Sequence, residues 1–242
     1  MMRKDMPAGS AAVMATRKAG NASSLNFFPT PPWAARALMC EVLRPRFDAG
    51  GNAWEPACGA GHCAIAIAPA FHQVFSSDVF DWGFGDARNL DFSLCGPEQA
   101  PLPVDWVITN PPFVLADTFV RRGLAIARQG VALLMRLSWQ EGGKRYYDFF
   151  APHAPMRCSM ICPFAERVPM IEGAYDPEAS SATAYAWFIW HKPSMAAEFA
   201  GHGDIPTVHF PPVMQDRYWQ PYDELMASRG EAQRRRKARA DA

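Results

Sequence analysis

The stretch NAWEPACGAGHCAIAIA, residues 52–68, carries the strongest indication of fold class in this 242-residue chain. It opens with a short, largely apolar run that stops at Pro56, as a strand does, and closes with small apolar residues suited to a helix that packs closely. The glycine turn CGAG separates the two and permits a sharp change of direction. The stretch therefore predicts a strand–turn–helix unit.

Strands and helices alternate on both sides of this unit. Before it, PPWAARALMCEVL (31–43) begins with prolines suited to a helix start and carries apolar residues at helical spacing. After it, the predicted strands are QVFSSD (73–78), VDWVIT (104–109), GVALLMRL (130–137), MRCSMICPF (156–164) and ATAYAWFIWHK (182–192), and the predicted helices are LADTFVRRGLAIARQ (115–129) and KRYYDFF (144–150). This order predicts an α/β fold with a doubly wound, mostly parallel sheet and an antiparallel late strand.

The two ends of the chain depart from this pattern. Residues 1–24 are rich in Ala, Ser, Gly, Asn and Met without hydrophobic periodicity, so we expect a disordered segment there. We expect the globular domain over 25–195 and a C-terminal extension with a basic tail over 196–242. Because 24 Lys and Arg balance 24 Asp and Glu, contact with a polyanion would have to come from local patches.

The cysteine pattern indicates the cellular compartment and whether a metal site is expected. Six cysteines are scattered without a C-x-x-C pair, and no stretch resembles a secretory leader or a membrane span. We therefore expect a cytoplasmic protein with reduced cysteines and no membrane contact. His153, Cys158 and Cys162 lack a fourth ligand and fit no common zinc spacing, so no metal is predicted.

The glycine turn, Glu55 to Gly61, lies where the backbone N–H groups of a helix N-terminus can hold a polar or anionic ligand. With Ala64 counted, it also satisfies G-x-G-x-x-A, so a nicotinamide dinucleotide stays open as the ligand at this point. The turn alone indicates a cofactor loop without identifying the cofactor.

Acidic residues after the glycine turn lie at positions where they could bind the ribose and the adenine of a cofactor. Asp78 ends the second strand, where a carboxylate can accept from both hydroxyl groups of a ribose. Asp91 precedes Phe92, and the pair suits the amine and the face of an adenine ring. Asp86 competes with Asp91, and the neighbouring Phe92 favours Asp91.

The stretch VITNPPF, Val107 to Phe113, runs a predicted strand into an asparagine, two prolines and an aromatic residue. The side-chain carbonyl of Asn110 and the backbone carbonyl of Pro111 can each accept an N–H from a planar amine, such as adenine N6, cytosine N4 or a glutamine amide. This localises the nitrogen lone pair for attack on a methyl group, while the rigid prolines hold the two acceptors in place. Phe113 can stack on the flat group that carries the amine.

On these motifs the chain resembles the S-adenosylmethionine-dependent amino-methyltransferases, and most of all the adenine-N6 DNA methyltransferases. FFPTP (27–31) is similar to the segment that closes over the cofactor in that family, and its position ahead of the glycine turn and NPPF matches the gamma arrangement of motifs. The resemblance covers residues 27–192. It implies a seven-stranded Rossmann-like sheet, S-adenosylmethionine as cofactor, and methyl transfer to adenine N6 in DNA.

The resemblance also implies site residues. The expected catalytic residues are Asn110, Pro111, Pro112 and Phe113. The expected cofactor-binding residues are Phe28, Pro29, Thr30, Pro31, Glu55, Pro56, Ala57, Cys58, Gly59, Gly61, Asp78, Asp91 and Phe92.

Little chain remains for a separate target-recognition region, apart from the loop 165–181 and the residues after Pro193, so we expect low or short-site specificity. The loop is mostly acidic and a poor surface for phosphates. DNA contacts are expected instead at Arg136, Lys144, Arg145, Arg234, Arg235 and Arg236. DNA is the expected partner, with nucleoid association during its modification and no obligatory protein partner.

Other functions stay open from the sequence. The same turn is compatible with methylation of adenine N6 or guanine N2 in RNA, or of glutamine in protein. An NAD(P)-dependent oxidoreductase would need a Tyr–Lys or His pair that the second half does not offer convincingly. A catalytically inactive nucleic-acid-binding module is disfavoured by the intact turn from Asn110 to Phe113.

Overall fold

The computed structural model describes residues 27–197 and 204–240, so the predicted disordered segment 1–24 lies outside the described residues. Seven strands form one sheet in the order β3-β2-β1-β4-β5-β7-β6. The strands are β1 (Asn52–Glu55), β2 (Gln73–Asp78), β3 (Ala87–Arg88), β4 (Trp106–Thr109), β5 (Gly130–Arg136), β6 (Met160–Pro163) and β7 (Tyr185–His191).

Strands β1 to β5 are parallel to their neighbours, whereas β7 lies antiparallel between β5 and β6. The predicted α/β fold, with a doubly wound, mostly parallel sheet and an antiparallel late strand, is therefore confirmed. Only β3 was missed, because its two residues are too few to show a hydrophobic period.

Helices occur at the predicted positions 31–43, 115–129 and 144–150 and directly after the glycine turn, whereas those at 192–197, 214–218 and 223–226 were not predicted. A continuous helical segment comprises α1 (Pro32–Ala37), a π-helical stretch (Leu38–Leu43) and α2 (Arg44–Phe47). The remaining α-helices are α3 (His62–Ile67), α4 (Ala116–Ile126), α5 (Gly143–Arg145), α6 (Lys192–Ala197), α7 (Met214–Tyr218), α8 (Asp223–Met226) and α9 (Glu231–Ala240).

The sheet separates two hydrophobic cores, and successive residues of one strand enter opposite cores. In β7, Trp187 packs with Trp33 of α1 on one face, while Phe188 packs with Phe119 of α4 on the other. Every residue of β5 before Arg136 is buried, as expected of a central strand covered on both faces. No helix in the described part of the chain is long and apolar enough to cross a membrane.

The C-terminal residues 204–240 pack against the sheet and α1. Val208 donates its backbone N–H to Ile161, and Phe210 donates to Pro163, so this segment runs beside β6. Arg36 of α1 forms a buried ion pair with Asp223, with 2.8 Å between Nη1 and Oδ2. Charges removed from water need such a partner, so this pair fixes α8 against the first helix.

Substitution Asp223→Ala should lower the free energy of unfolding by about 3–5 kcal/mol, because it leaves the Arg36 guanidinium buried without its carboxylate. Urea unfolding followed by circular dichroism measures the change. The matched control is Glu224→Ala, which removes an exposed partner of Arg229 and should lower the free energy of unfolding far less than Asp223→Ala does. Equal losses in the two variants would contradict a structural role for the buried pair.

Candidate functional site

A cavity of about 410 Å³ opens where β1, β2 and β4 end. The strand order reverses at β1, because β2 and β3 lie on one side of β1 and β4 and β5 lie on the other. Such a switch point leaves a crevice at the carboxyl ends of the strands, where α/β proteins bind ligands. The loops after the three strands and the segment before α1 form the cavity wall.

Most of the sequence-predicted site residues line this one cavity. They are Phe28, Pro29, Thr30, Glu55, Pro56, Ala57, Cys58, Gly59, Asp78, Asp91, Phe92, Asn110, Pro111, Pro112 and Phe113. Pro31 and Gly61 do not line it. Pro31 is buried as the residue before α1, and Gly61, with φ +88°, turns the chain into α3 beneath the ring of Phe84.

The glycine turn is held by the acid that ends β2. Asp78 accepts the backbone N–H of Gly59 at 2.9 Å through Oδ2 and that of Phe80 at 3.0 Å through Oδ1. Burial raises the pKa of Asp78, against the opposing effect of these N–H donors. Gly59 has φ +52°, and a Cβ there would collide with the ring of Phe27. The Trp82 side chain and the Val79 backbone are further donors to this carboxylate.

Glu55, the last residue of β1, is a buried carboxyl group in the cavity wall. Its Oε2 atom has no hydrogen-bond partner among the described residues. Burial raises its pKa well above the usual range, although the Cys63 thiol and the Ala64 backbone partly oppose this. The carboxyl group is therefore available to a donor brought by a ligand.

The side-chain amide of Asn110 is hydrogen-bonded through its nitrogen but not through its oxygen in the described part of the chain. Nδ2 donates to the carbonyl oxygen of Phe28 at 2.9 Å. The buried Oδ1 atom has no partner among the described residues. Because the Nδ2 bond fixes the amide, Oδ1 is presented as an unsatisfied acceptor in a residue that lines the cavity.

The ring of Phe113 borders the cavity beside other aromatic and cationic groups. The Phe28 and Tyr185 ring centroids lie 6.4 and 6.2 Å from its own, and the Arg136 guanidinium carbon lies 4.8 Å from it. Arg136, predicted as a DNA contact, thus lies at the cavity beside the expected catalytic turn.

The structure separates the two acids that competed in the sequence. Asp91 lines the cavity, and its Oδ1 accepts from the backbone and hydroxyl of Ser93 at 3.0 and 2.6 Å. Asp86 is exposed outside the cavity lining and accepts the N–H of Ser76 at 2.8 Å. Asp91 is therefore the one positioned to meet a ligand.

Several wall residues had no clear signal in the sequence. Trp82 is one of them, and it stacks on Phe27 of the FFPTP segment with the ring centroids 4.3 Å apart, although the two residues are far apart in sequence. Phe27 also accepts a hydrogen bond from the Gly173 N–H at 2.6 Å, so the loop 165–181 supports the cavity wall. The other unpredicted wall residues are His62, Cys63, Val79, Leu90, Val114, Leu115 and Phe119.

The predicted nucleic-acid contacts fall into two groups. Arg136 and Arg145 line one groove beside Phe113, and Lys144 is exposed next to Arg145. In α9, Arg234 and Arg235 pair with Glu231 of the same helix, and Arg236 is exposed. The Arg235 guanidinium also donates to the Glu172 carbonyl at 2.6 Å, so α9 lies against the loop 165–181.

The cysteines and metal-ligating residues add no further site. All six cysteines are free thiols, and five of them are buried. Among residues 27–197 and 204–240, no cluster of His, Cys, Asp or Glu could hold a metal ion.

No protein-family model and no curated protein sequence matches the chain. Solved structures do match it. A putative RNA methyltransferase from Pyrococcus horikoshii has 15% identity and a TM-score of 0.54, covering 77% of this chain and 98% of its own. A putative class I S-adenosylmethionine-dependent methyltransferase from Listeria monocytogenes has 12% identity and a TM-score of 0.52, covering 84% of this chain and 70% of its own. The chain therefore has the Rossmann-like fold of S-adenosylmethionine-dependent methyltransferases.

The raised pKa of Glu55 predicts a pH-dependent contribution to stability. An unfolded Glu titrates near ~4.3, so between that pH and the higher folded pKa the native state binds more protons. Stability from this group is complete below the unfolded pKa and is lost as the pH rises through the folded pKa. Glu55→Gln cannot ionise, so its unfolding free energy relative to wild type should rise from pH 5 to pH 8 in urea titrations. A difference that stays constant with pH would contradict this assignment.

Proposed function

We propose that this protein is an S-adenosylmethionine-dependent methyltransferase that modifies the exocyclic N6 amine of adenine in DNA. The observation that carries the proposal is the Asn110 amide, whose Nδ2 is bonded to the Phe28 carbonyl and whose buried Oδ1 lacks a partner. It stands beside Phe113 in the cavity of a methyltransferase fold. An oriented, unsatisfied acceptor is what a poorly nucleophilic planar amine requires.

The residues in the cavity fit the proposed cofactor. The Asp78 carboxylate, already ordered by two backbone N–H groups, would accept the ribose hydroxyls. Asp91 would accept from the adenine amine, with Phe92 beside the ring. The unpartnered oxygen of Glu55 would receive an N–H from the ammonium group at the methionine end.

The segment before α1 would cover the bound cofactor. Phe27 and Phe28 line the cavity, and both of their carbonyls are hydrogen-bonded, to Gly173 and Asn110 respectively. Pro29 and Thr30 complete this wall. When bound, the cofactor supplies an electrophilic methyl group on a sulfonium.

The turn from Asn110 to Phe113 would activate the substrate amine. Asn110 Oδ1 and the Pro111 carbonyl accept its two N–H groups, which draws the nitrogen toward tetrahedral geometry and frees its lone pair. The turn would thereby orient the amine nitrogen toward the methyl group that bound S-adenosylmethionine would supply, with the C–N bond replacing the methyl–sulfur bond. The two oxygen dipoles stabilise the positive charge that develops on nitrogen, and the surplus proton leaves to water without a dedicated base.

Phe113 would hold the base that carries the amine. A base in a duplex is stacked and paired, so its N6 reaches this turn only after extrusion or in an unpaired strand. The aromatic face of Phe113 compensates part of the lost stacking. DNA follows from the sequence resemblance, and RNA stays a second candidate because one structural neighbour is named a putative RNA methyltransferase.

Asn110→Ala should lower turnover by at least about a hundredfold, because it removes an oxygen aimed at developing charge. It also removes the bond to Phe28, so cofactor affinity should fall by no more than about tenfold, as expected for one neutral hydrogen bond. Single-turnover methylation and isothermal titration with S-adenosylmethionine measure the two effects. Asn52→Ala, a surface amide at the opposite end of β1, is the control. Parallel losses of equal size would mean that Asn110 is purely structural.

Labelled S-adenosylmethionine offered with duplex DNA, single-stranded DNA, structured RNA or protein should label nucleic acid and leave protein unlabelled. Digestion to nucleosides followed by mass spectrometry should give N6-methyladenosine or its deoxy form. Label found only in protein would reject the proposed substrate, and label on guanine would reject the proposed amine.

A further inference from the structure

A groove of about 240 Å³ continues the cavity outward from Phe113. We term it the exit groove; its wall consists of Phe113, Val114, Arg136, Ser138, Trp139 and Arg145. The first three of these residues also line the main cavity. A substrate that places one group against Phe113 therefore extends directly into the exit groove.

The charges around the exit groove are unevenly paired. Asp117 binds Arg145 at 3.0 Å, and Asp148 binds Arg121 at 2.6 Å, so both carboxylates are neutralised locally. The exposed Arg136 contacts the Phe113 ring and the Tyr185 hydroxyl and makes no ion pair within the described residues.

Two further charges lie in the segment that joins the wall residues Trp139 and Arg145, which forms the rim on this side, and neither has an ion pair in the described part of the chain. Lys144 is an exposed cation, and Glu141 is an exposed carboxylate. With Arg136, the rim thus offers two unpaired cations against one unpaired carboxylate. It is the rim of the cavity that a phosphate backbone can approach.

The opposite rim has the reverse charge. Asp78 and Asp91 line the cavity there, and Asp81 and Asp86 lie in the loop between them. Arg88, the one cation in the sequence from 78 to 91, is already paired with Asp81 at 3.1 Å. Like charges repel, so the exit groove is the more favourable approach to Phe113 for a polyanionic substrate.

Exposed apolar and aromatic side chains occur in the groove wall, at Val114, and in the two residues that follow Arg145 in the chain, Tyr146 and Tyr147. Val114 is 85% exposed, Tyr147 is 70% exposed and Tyr146 is 48% exposed. They are three of the seven large apolar side chains found exposed in the described residues. Aromatic rings interleaved with cations bind unpaired nucleotides, because bases in a single strand offer their faces for stacking.

We infer that the exit groove binds the unpaired strand next to the target nucleotide, with phosphates at Arg136 and Lys144 and a flanking base on Tyr147. The inference rests on the proposed function, since the target base is the one held at Phe113. The protein then acts on single-stranded nucleic acid in preference to an intact duplex.

Binding of labelled oligonucleotides of about 12 nucleotides, followed by fluorescence anisotropy, tests this without requiring turnover. Single-stranded DNA and RNA and the matched DNA duplex are compared with the full chain. We expect the single strands to bind at least tenfold more tightly than the duplex. Arg136→Gln and Lys144→Ala should each reduce the slope of log affinity against log salt by about 0.7. Tyr147→Ala should weaken single-strand binding by about fivefold or more.

The matched control is Lys237→Ala, which removes an exposed cation of α9 and should change single-strand affinity by less than twofold. Thermal unfolding checks that each variant remains folded. Equal or tighter binding of the duplex would overturn the inference, as would wild-type affinity in the three groove variants with a loss in Lys237→Ala. Single-strand binding through these residues without methylation of any nucleic acid would support the groove assignment and reject the proposed function.

Discussion

The pairing of β1 with β4 is the constraint on which the candidate site depends. Ala53 lies opposite Trp106, and Trp54 lies opposite Val107, in parallel register. Because the two strands run in the same direction, their carboxyl ends meet at one edge of the sheet. The glycine turn after β1 and the NPPF turn after β4 are therefore adjacent, although about fifty residues separate them in the chain.

Hydrogen bonds from two directions hold the segment that closes the cavity. Asn110 binds the Phe28 carbonyl from the side of the sheet, and Gly173 binds the Phe27 carbonyl from the loop 165–181. That loop is supported in turn by the C-terminal extension: Asp176 accepts the Ala232 N–H at the start of α9, and the Tyr175 carbonyl accepts from Ser228. The loop, considered from sequence as a target-recognition element, here supports the site.

The acidic residues of the loop 165–181 have a different role in the structure from the one that their sequence pattern predicts. In sequence they predict a surface that repels phosphate. In the structure, Asp176 caps α9, Glu178 pairs with Arg229, and Glu166 accepts the Gln215 N–H. The carboxylates are thus largely engaged by the C-terminal segment, and the unpaired cations that remain beside Phe113 belong to a different part of the surface.

The alternation of strands and helices could be predicted from the sequence, because hydrophobic periodicity and the positions of Gly and Pro are local properties. The residues at the strand ends could also be identified from the sequence, since Glu55 and Asp78 are the last residues of predicted strands and Asn110 directly follows one. The folded arrangement was needed to show which of these polar groups line one cavity and that Phe27 and Trp82 stack, whereas the sequence already favoured Asp91 over Asp86. Contacts between segments that are distant in the chain, such as the hydrogen bond between Phe28 and Asn110, do not produce a hydrophobic period in the sequence. They can therefore be seen only in the folded structure.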